Sequence, residues 1–187
     1  MRLFVALDLP DDIRLAVAGL IENLKRSIRG PCWARPEGIH ITLKFIGEVR
    51  EERVGPMVRA LQSIAPLPSF ELSFGGLGYF PSERRPSVLW AGIAAPPVLA
   101  NLASAIESAL EPLGVARETR DFHPHLTLSR LKSPAGVPQV RDAVKKLQGV
   151  QFGKSRFKEF HLYQSTLKPT SAEYARMATF PLAEADS

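Results

Sequence analysis

Two tripeptides in this chain place a hydroxyl two residues after an imidazole: His40-Ile41-Thr42 and His125-Leu126-Thr127, about 85 positions apart. Neutral histidine accepts a proton and imidazolium donates one near pH 7, so two of them can divide the work of base and acid. A threonine hydroxyl beside each can hydrogen-bond a non-bridging oxygen as charge builds on it. With only four histidines present, chance predicts on the order of 0.1 such triplets, so the repetition carries information. Phosphodiester hydrolysis uses such a set without needing an obvious nucleophile. One histidine deprotonates water and the other protonates the departing oxygen. Nothing in the spacing distinguishes the two roles.

Metal chemistry is the rival reading of His123-Pro124-His125, with Asp121 just before it. Against it, the His40 segment has no second H-x-H and no carboxylate on the same face, and what repeats is H-x-T. No metal and no cofactor is expected.

These residues need strands to carry them. In the first copy Ile39, Ile41, Leu43 and Phe45 alternate with His40, Thr42 and Lys44, and in the second Phe122, Pro124, Leu126 and Leu128 alternate with His123, His125, Thr127 and Ser129. Period two predicts a half-buried strand, so histidine and threonine project side by side roughly 7 Å apart. By the same parity Lys44 joins the polar face and is a candidate phosphate contact. Trp33 and Phe45 could stack a base, but core packing is the simpler reading. His161, alternating with Phe157, Glu159 and Tyr163, reads as structural. Arg84 and Arg85 read as surface.

The repeat extends beyond the triplets. "RLFVALDL" lies over "SVLWAGI". Ile13, Val17, Leu20, Leu24 and Ile28 answer to Leu99, Leu102, Ile106, Leu110 and Leu113, both at helical spacing. Val54, Val58, Leu61 and Ile64 answer to Val140, Val144 and Leu147, and "FELSF" to "RFKEFHLY". A last strand follows near Tyr174 to Leu182. Each half, about 1–80 and 86–187, therefore reads strand, helix, H-x-T strand, helix, strand, with loops expected at 75–87 and 131–138. Two lobes forming one domain over 1–187 would bring both H-x-T units to one site.

At 45% hydrophobic and 23% charged residues the composition is that of a globular protein, and no apolar run nears the roughly 18 residues a membrane span needs. The opening "MRLFVALDLPDD" runs into an acidic pair without a cleavage site, so it reads as a first strand rather than a signal peptide. One cysteine, Cys32, excludes an internal disulfide and fits a reducing, cytoplasmic setting. A net charge of +5 leans toward anionic partners such as nucleic acid. A monomer that does not bind membranes is expected.

"HITLKFIG" and "PHLTLSR" resemble the paired signatures of the 2H phosphoesterases, in particular the RNA 2',3'-cyclic phosphodiesterases once named 2'-5' RNA ligases. "RLFVALDLP", "GLGYFP", "VLWAGI" and "EFHLYQSTL" extend the resemblance over nearly the whole chain. It implies a bilobal α+β fold: two antiparallel sheets from an internal duplication, helices outside and a central cleft. It also implies metal-independent opening of an RNA 2',3'-cyclic phosphate to a 2'-phosphate, with His40 as proton donor, His125 as proton acceptor, and Thr42 and Thr127 gripping phosphate. Arg130 matches an arginine the family often shows after its second motif. Parity puts Arg130 on the face opposite His125 unless a bulge turns it back. The alternatives are a ligase running the reverse reaction, a phosphodiesterase for a small cyclic nucleotide, and an RNA- or nucleotide-binding module without chemistry.

Overall fold

Nine strands and four α-helices form among the residues that the computed structural model describes, 1–82, 84–168 and 172–184. In chain order they are β1 (Arg2–Asp8), α1 (Asp11–Ser27), β2 (Cys32–Trp33), β3 (His40–Glu48), α2 (Val54–Gln62), β4 (Phe70–Phe80) and β5 (Val88–Ala94). There follow α3 (Pro97–Leu110), β6 (His125–Arg130), α4 (Val137–Lys146), β7 (Gln151–Phe157), β8 (Glu159–Leu167) and β9 (Ala172–Pro181). The strands make two antiparallel sheets, ordered β3-β1-β8-β9 and β2-β6-β5-β4-β7.

In each sheet the H-x-T strand lies beside the opening strand of its own half, β3 on β1 and β6 on β5. The remaining strands cross over. β4, from the first half, pairs with β5, while β8 returns to pair with β1. The helices cross as well: α1 packs against β7 of the five-stranded sheet, and α3 against β3 of the four-stranded one. At the α1 crossing Gly153 holds φ +116°, a backbone conformation that favours glycine, and its bare Cα faces Ile13, whose Cδ1 would lie 2.9 Å from an added Cβ.

One apolar core joins the helices to the inner faces of both sheets. α1 contributes Ile13, Val17, Ile21 and Leu24, and α3 contributes Leu99, Leu102, Ala103, Ile106 and Leu110. Full burial of each leucine or isoleucine is worth roughly 1.5–3 kcal/mol, which locks the helices in place. Asp11 and Asp12 in the first turn of α1, and Lys25 and Arg26 in the last, complement its dipole.

Two expectations change. The glycines of "GGLGYF" do not open a loop, because β4 runs on through Phe80; Glu83, in the remaining loop, lies outside the described residues. "RFKEFHLY" is not one strand but the end of β7 and the start of β8, broken at Lys158. That break sends β7 to one sheet and β8 to the other.

Candidate active site

Both H-x-T strands carry the same irregularity at the same place. Along β1–β3, Val5 faces Lys44 and Ala6 faces Thr42, leaving Leu43 as an extra residue. Along β5–β6, Leu89 faces Ser129 and Trp90 faces Thr127, leaving Leu128 extra. Each is a β-bulge immediately after the threonine, and it resets the alternation beyond it. Leu43 and Lys44 are both buried, as are Leu128 and Ser129; the next residues, Phe45 and Arg130, are exposed.

Up to the bulge, period two holds. Ile41 and Leu126 enter the core, while His40 with Thr42 and His125 with Thr127 occupy the opposite, open faces. β3 and β6 approach each other where the two sheets adjoin.

Beyond the bulge, simple parity fails in two instructive ways. Arg130 pairs with Val88, two residues before Trp90 on β5, so it shares the open face with His125 and Thr127. Lys44 goes the other way. Its side chain, 5% exposed, turns inward, and Nζ donates to both carboxylate oxygens of Glu107 on α3, at 2.7 and 2.8 Å, and to the Ala116 carbonyl at 2.6 Å. Lys44 is therefore not available to phosphate. It ties the His40 strand to α3 and to the segment that leads into the second motif.

Each imidazole is held in the same way. His40 Nδ1 lies 2.8 Å from the Gly38 carbonyl and His125 Nδ1 lies 2.7 Å from the His123 carbonyl. A carbonyl only accepts, so Nδ1 carries a hydrogen in both rings, and Nε2 is the atom left to take or give a proton. Aromatic rings fix the planes. His40 stacks on Phe4 at 4.6 Å and meets the edge of Tyr174 at 5.2 Å, while His125 meets Phe80 edge-on at 5.0 Å. Phe80 leans on Trp90 at 5.3 Å, and the Trp90 ring covers Gly78, where a Cβ would come within 2.2 Å of it.

Their charge environments differ. Burial pushes the His40 imidazole below its ordinary pKa of 6.5; the Gly38 bond and the Asp8 carboxylate oppose this, and Arg14 adds to it. Burial likewise lowers His125, opposed by the His123 carbonyl and reinforced by the charges of Arg130 and His123. Asp8 pairs with His40 across β1–β3 and accepts from the Tyr163 hydroxyl and from Arg176. Arg14 of α1 donates to the carbonyls of Leu9, Pro36 and Ile39, clamping the end of β1 to the turn that precedes His40.

Asp8, Arg14, Glu107, Phe80 and Tyr174 escaped the sequence reading, since each acts through tertiary contact and none repeats with the motif. His161 is 2% exposed, with Nδ1 3.0 Å from Thr179 Oγ1, as its structural reading requires. Burial is the main cause of its lowered pKa. Among the described residues no three His, Cys, Asp or Glu side chains gather as a metal site, and Asp121, His123 and His125 are no exception. Trp33 packs against the core, whereas Phe45 is 50% exposed.

Comparison with known proteins fits this geometry. The family model described as LigT like phosphoesterase matches residues 7–90 and 93–173. The RNA 2',3'-cyclic phosphodiesterase of Archaeoglobus fulgidus is 37% identical over 180 residues, 96% of this chain and 99% of that protein. That of Methanothermobacter thermautotrophicus is 33% identical over 186 residues, 97% of this chain and 99% of that protein. Among solved structures, E. coli LigT complexed with 3'-AMP superposes with a TM-score of 0.79 at 26% identity, covering 98% of both chains. A protein of Thermus thermophilus does so with a TM-score of 0.82 at 31% identity, covering 98% of this chain and 99% of that one.

Proposed function

The chain belongs to the LigT-like phosphoesterase family, and from that premise we propose that it is an RNA 2',3'-cyclic phosphodiesterase. It opens the cyclic phosphate at an RNA end to leave a 2'-phosphomonoester. The two repeat halves, about 1–80 and 86–187, act as one catalytic unit, because each supplies one histidine and one threonine.

In this reading His125 Nε2 takes a proton from water as the water oxygen attacks phosphorus. The P–O3' bond breaks, and His40 Nε2 gives its proton to the 3' oxygen. Thr42 and Thr127 hydrogen-bond the non-bridging oxygens as charge develops, and Arg130 adds a cation on the His125 side. After product leaves, the two imidazoles exchange protons with solvent and the cycle resets. No metal ion or cofactor enters the scheme.

One observation carries the paired chemistry: both imidazoles are tethered through Nδ1 to a backbone carbonyl, leaving Nε2 of each to move a proton. The order, His40 as donor and His125 as acceptor, follows the family resemblance; the Asp8 carboxylate favours charge on His40 while Arg14 opposes it, and Arg130 disfavours charge on His125. The single Cys32 suits a reducing compartment, so the proposed setting is the cytoplasm; the proposed working unit is a monomer, since one chain supplies both motifs. No helix among the described residues is long and apolar enough to cross a membrane.

The test is direct. RNA ending in a 2',3'-cyclic phosphate, incubated with excess chelator, is expected to yield the 2'-phosphate isomer. A 3'-phosphate product, or activity that vanishes with chelator and returns with zinc or manganese, would overturn the scheme.

A further inference from the structure

The offset of about 85 positions that relates the two motifs also sets Phe45 over Arg130, and the repeated bulge brings both to an open face. After the buried doublet Leu128–Ser129 the second motif presents Arg130 on its open face; after Leu43–Lys44 the first presents Phe45. Where one sheet offers a cation, the other offers an aromatic ring. A cation is not missing there, because the Arg2 guanidinium, from the neighbouring strand β1, sits 4.9 Å over the Phe45 ring. We propose that Phe45 and Arg2 form a subsite for the RNA nucleotide next to the cyclic-phosphate end, Phe45 stacking its base and Arg2 facing its phosphate. The proposal rests on the RNA-end reading above and deepens it.

Four observations support the assignment. Phe45 is 50% exposed although it sits in the middle of a strand whose other apolar residues are buried, Ile41 and Leu43 fully and Ile46 in part. Phe4, its cross-strand partner, shares that face and stacks on His40, so the ring is on the side where the chemistry occurs. At roughly 3.3 Å per residue, Phe45 lies on the order of 13–16 Å along the strand from His40, too far to serve the reacting ribose. Arg2 is anchored and uncompensated. The preceding amino group, Met1 N, donates to the Val49 carbonyl at 2.6 Å, and that amine, not Arg2, pairs with the neighbouring Glu48 at 3.6 Å. Among the described residues Arg2 makes no ion pair. An exposed aromatic ring with a guanidinium over one face, and no carboxylate paired to that guanidinium among the described residues, suits a single-stranded nucleic acid, since a base can stack on the ring's other face and every nucleotide carries a negative charge.

The experiment compares an oligonucleotide and a mononucleotide that end in the same 2',3'-cyclic nucleotide, reading the ratio of their kcat/KM values. Phe45→Ala is expected to lower the oligonucleotide-to-mononucleotide ratio by about 5- to 150-fold, the worth of one stacked base, and Phe45→Trp to restore it. Arg2→Met is expected to flatten the salt dependence of the oligonucleotide rate by about one charge. A ratio unchanged in Phe45→Ala, or one not restored by tryptophan, overturns the subsite while leaving the RNA-end reading intact. Wild-type enzyme that opens neither substrate overturns that reading and the subsite with it.

Discussion

At the scale of single residues, proton transfer and charge stabilisation should separate in mutants. His40→Ala or His125→Ala is expected to slow turnover by about 10²- to 10⁴-fold, and Thr42→Val or Thr127→Val by less, since each threonine supplies one hydrogen bond. Single-turnover kinetics on correctly folded variants check this; near-normal turnover in either histidine variant removes it from the chemistry. The pH dependence follows from the direction of the shifts. The base must be neutral, so activity falls as pH drops through the value of His125, and the acid must be charged, so it falls as pH rises through that of His40. Burial lowers both from 6.5. The bell in kcat/KM should therefore centre on the acid side of 6.5, with limbs that belong to the coupled pair. A flat profile from about pH 5 to 9, with chemistry limiting, is the result that rules out paired imidazole catalysis. Histidine and threonine were legible in the sequence because alternation holds as far as the threonine. Lys44, Phe45 and the parity of Arg130 were not, because one extra residue intervenes and bulges leave no compositional trace.

At the scale of elements, the bulges divide the cations by task. Lys44→Met leaves Glu107, whose side chain is 15% exposed, without its partner, and breaking a buried pair typically costs about 3–5 kcal/mol. Urea unfolding should register that loss, and Glu107→Leu in the same chain should recover much of it. Arg130→Met should leave the unfolding midpoint in place and instead lower kcat/KM by roughly 10- to 150-fold, the worth of a charge-assisted bond to phosphate. The reverse pattern, stability lost with Arg130 and substrate affinity with Lys44, would mean the bulge assignment is wrong. Helices and strands were mostly readable: Ile13, Val17, Leu24 and Ile28 do face the core around α1, with Ile21 fully buried beside them and Leu20 packed there only in part. The division of "RFKEFHLY" into β7 and β8 was not readable, since no Gly, Pro, Asn or Asp marks the break at Lys158 between Phe157 and Phe160.

At the scale of the molecule, three histidines are held with lowered pKa values, His40, His125 and His161. The unfolded chain, with ordinary imidazoles, binds more protons below 6.5, so stability should be full above that value and drain away as pH falls through the lowered folded values. Thermal unfolding at pH 7.5 and 5.5 should show the lower Tm in acid, and a Tm equal at both would contradict the burial of these rings. The duplication was visible in the sequence, but the exchange of strands was not, because period and propensity say which residues make a strand and nothing about which sheet receives it.

That exchange separates where a lesion is written from where it is felt. Gly78 belongs by sequence to the half that bears His40, yet its strand lies in the other sheet, beneath the Trp90 ring that supports Phe80 and, through it, His125. Gly78→Ala should therefore injure the distant histidine: NMR titration of the two imidazoles is expected to find His125 displaced and His40 little changed, and the opposite outcome would deny the crossover. Neither half can be cut away alone, for each holds a piece of the other's scaffold.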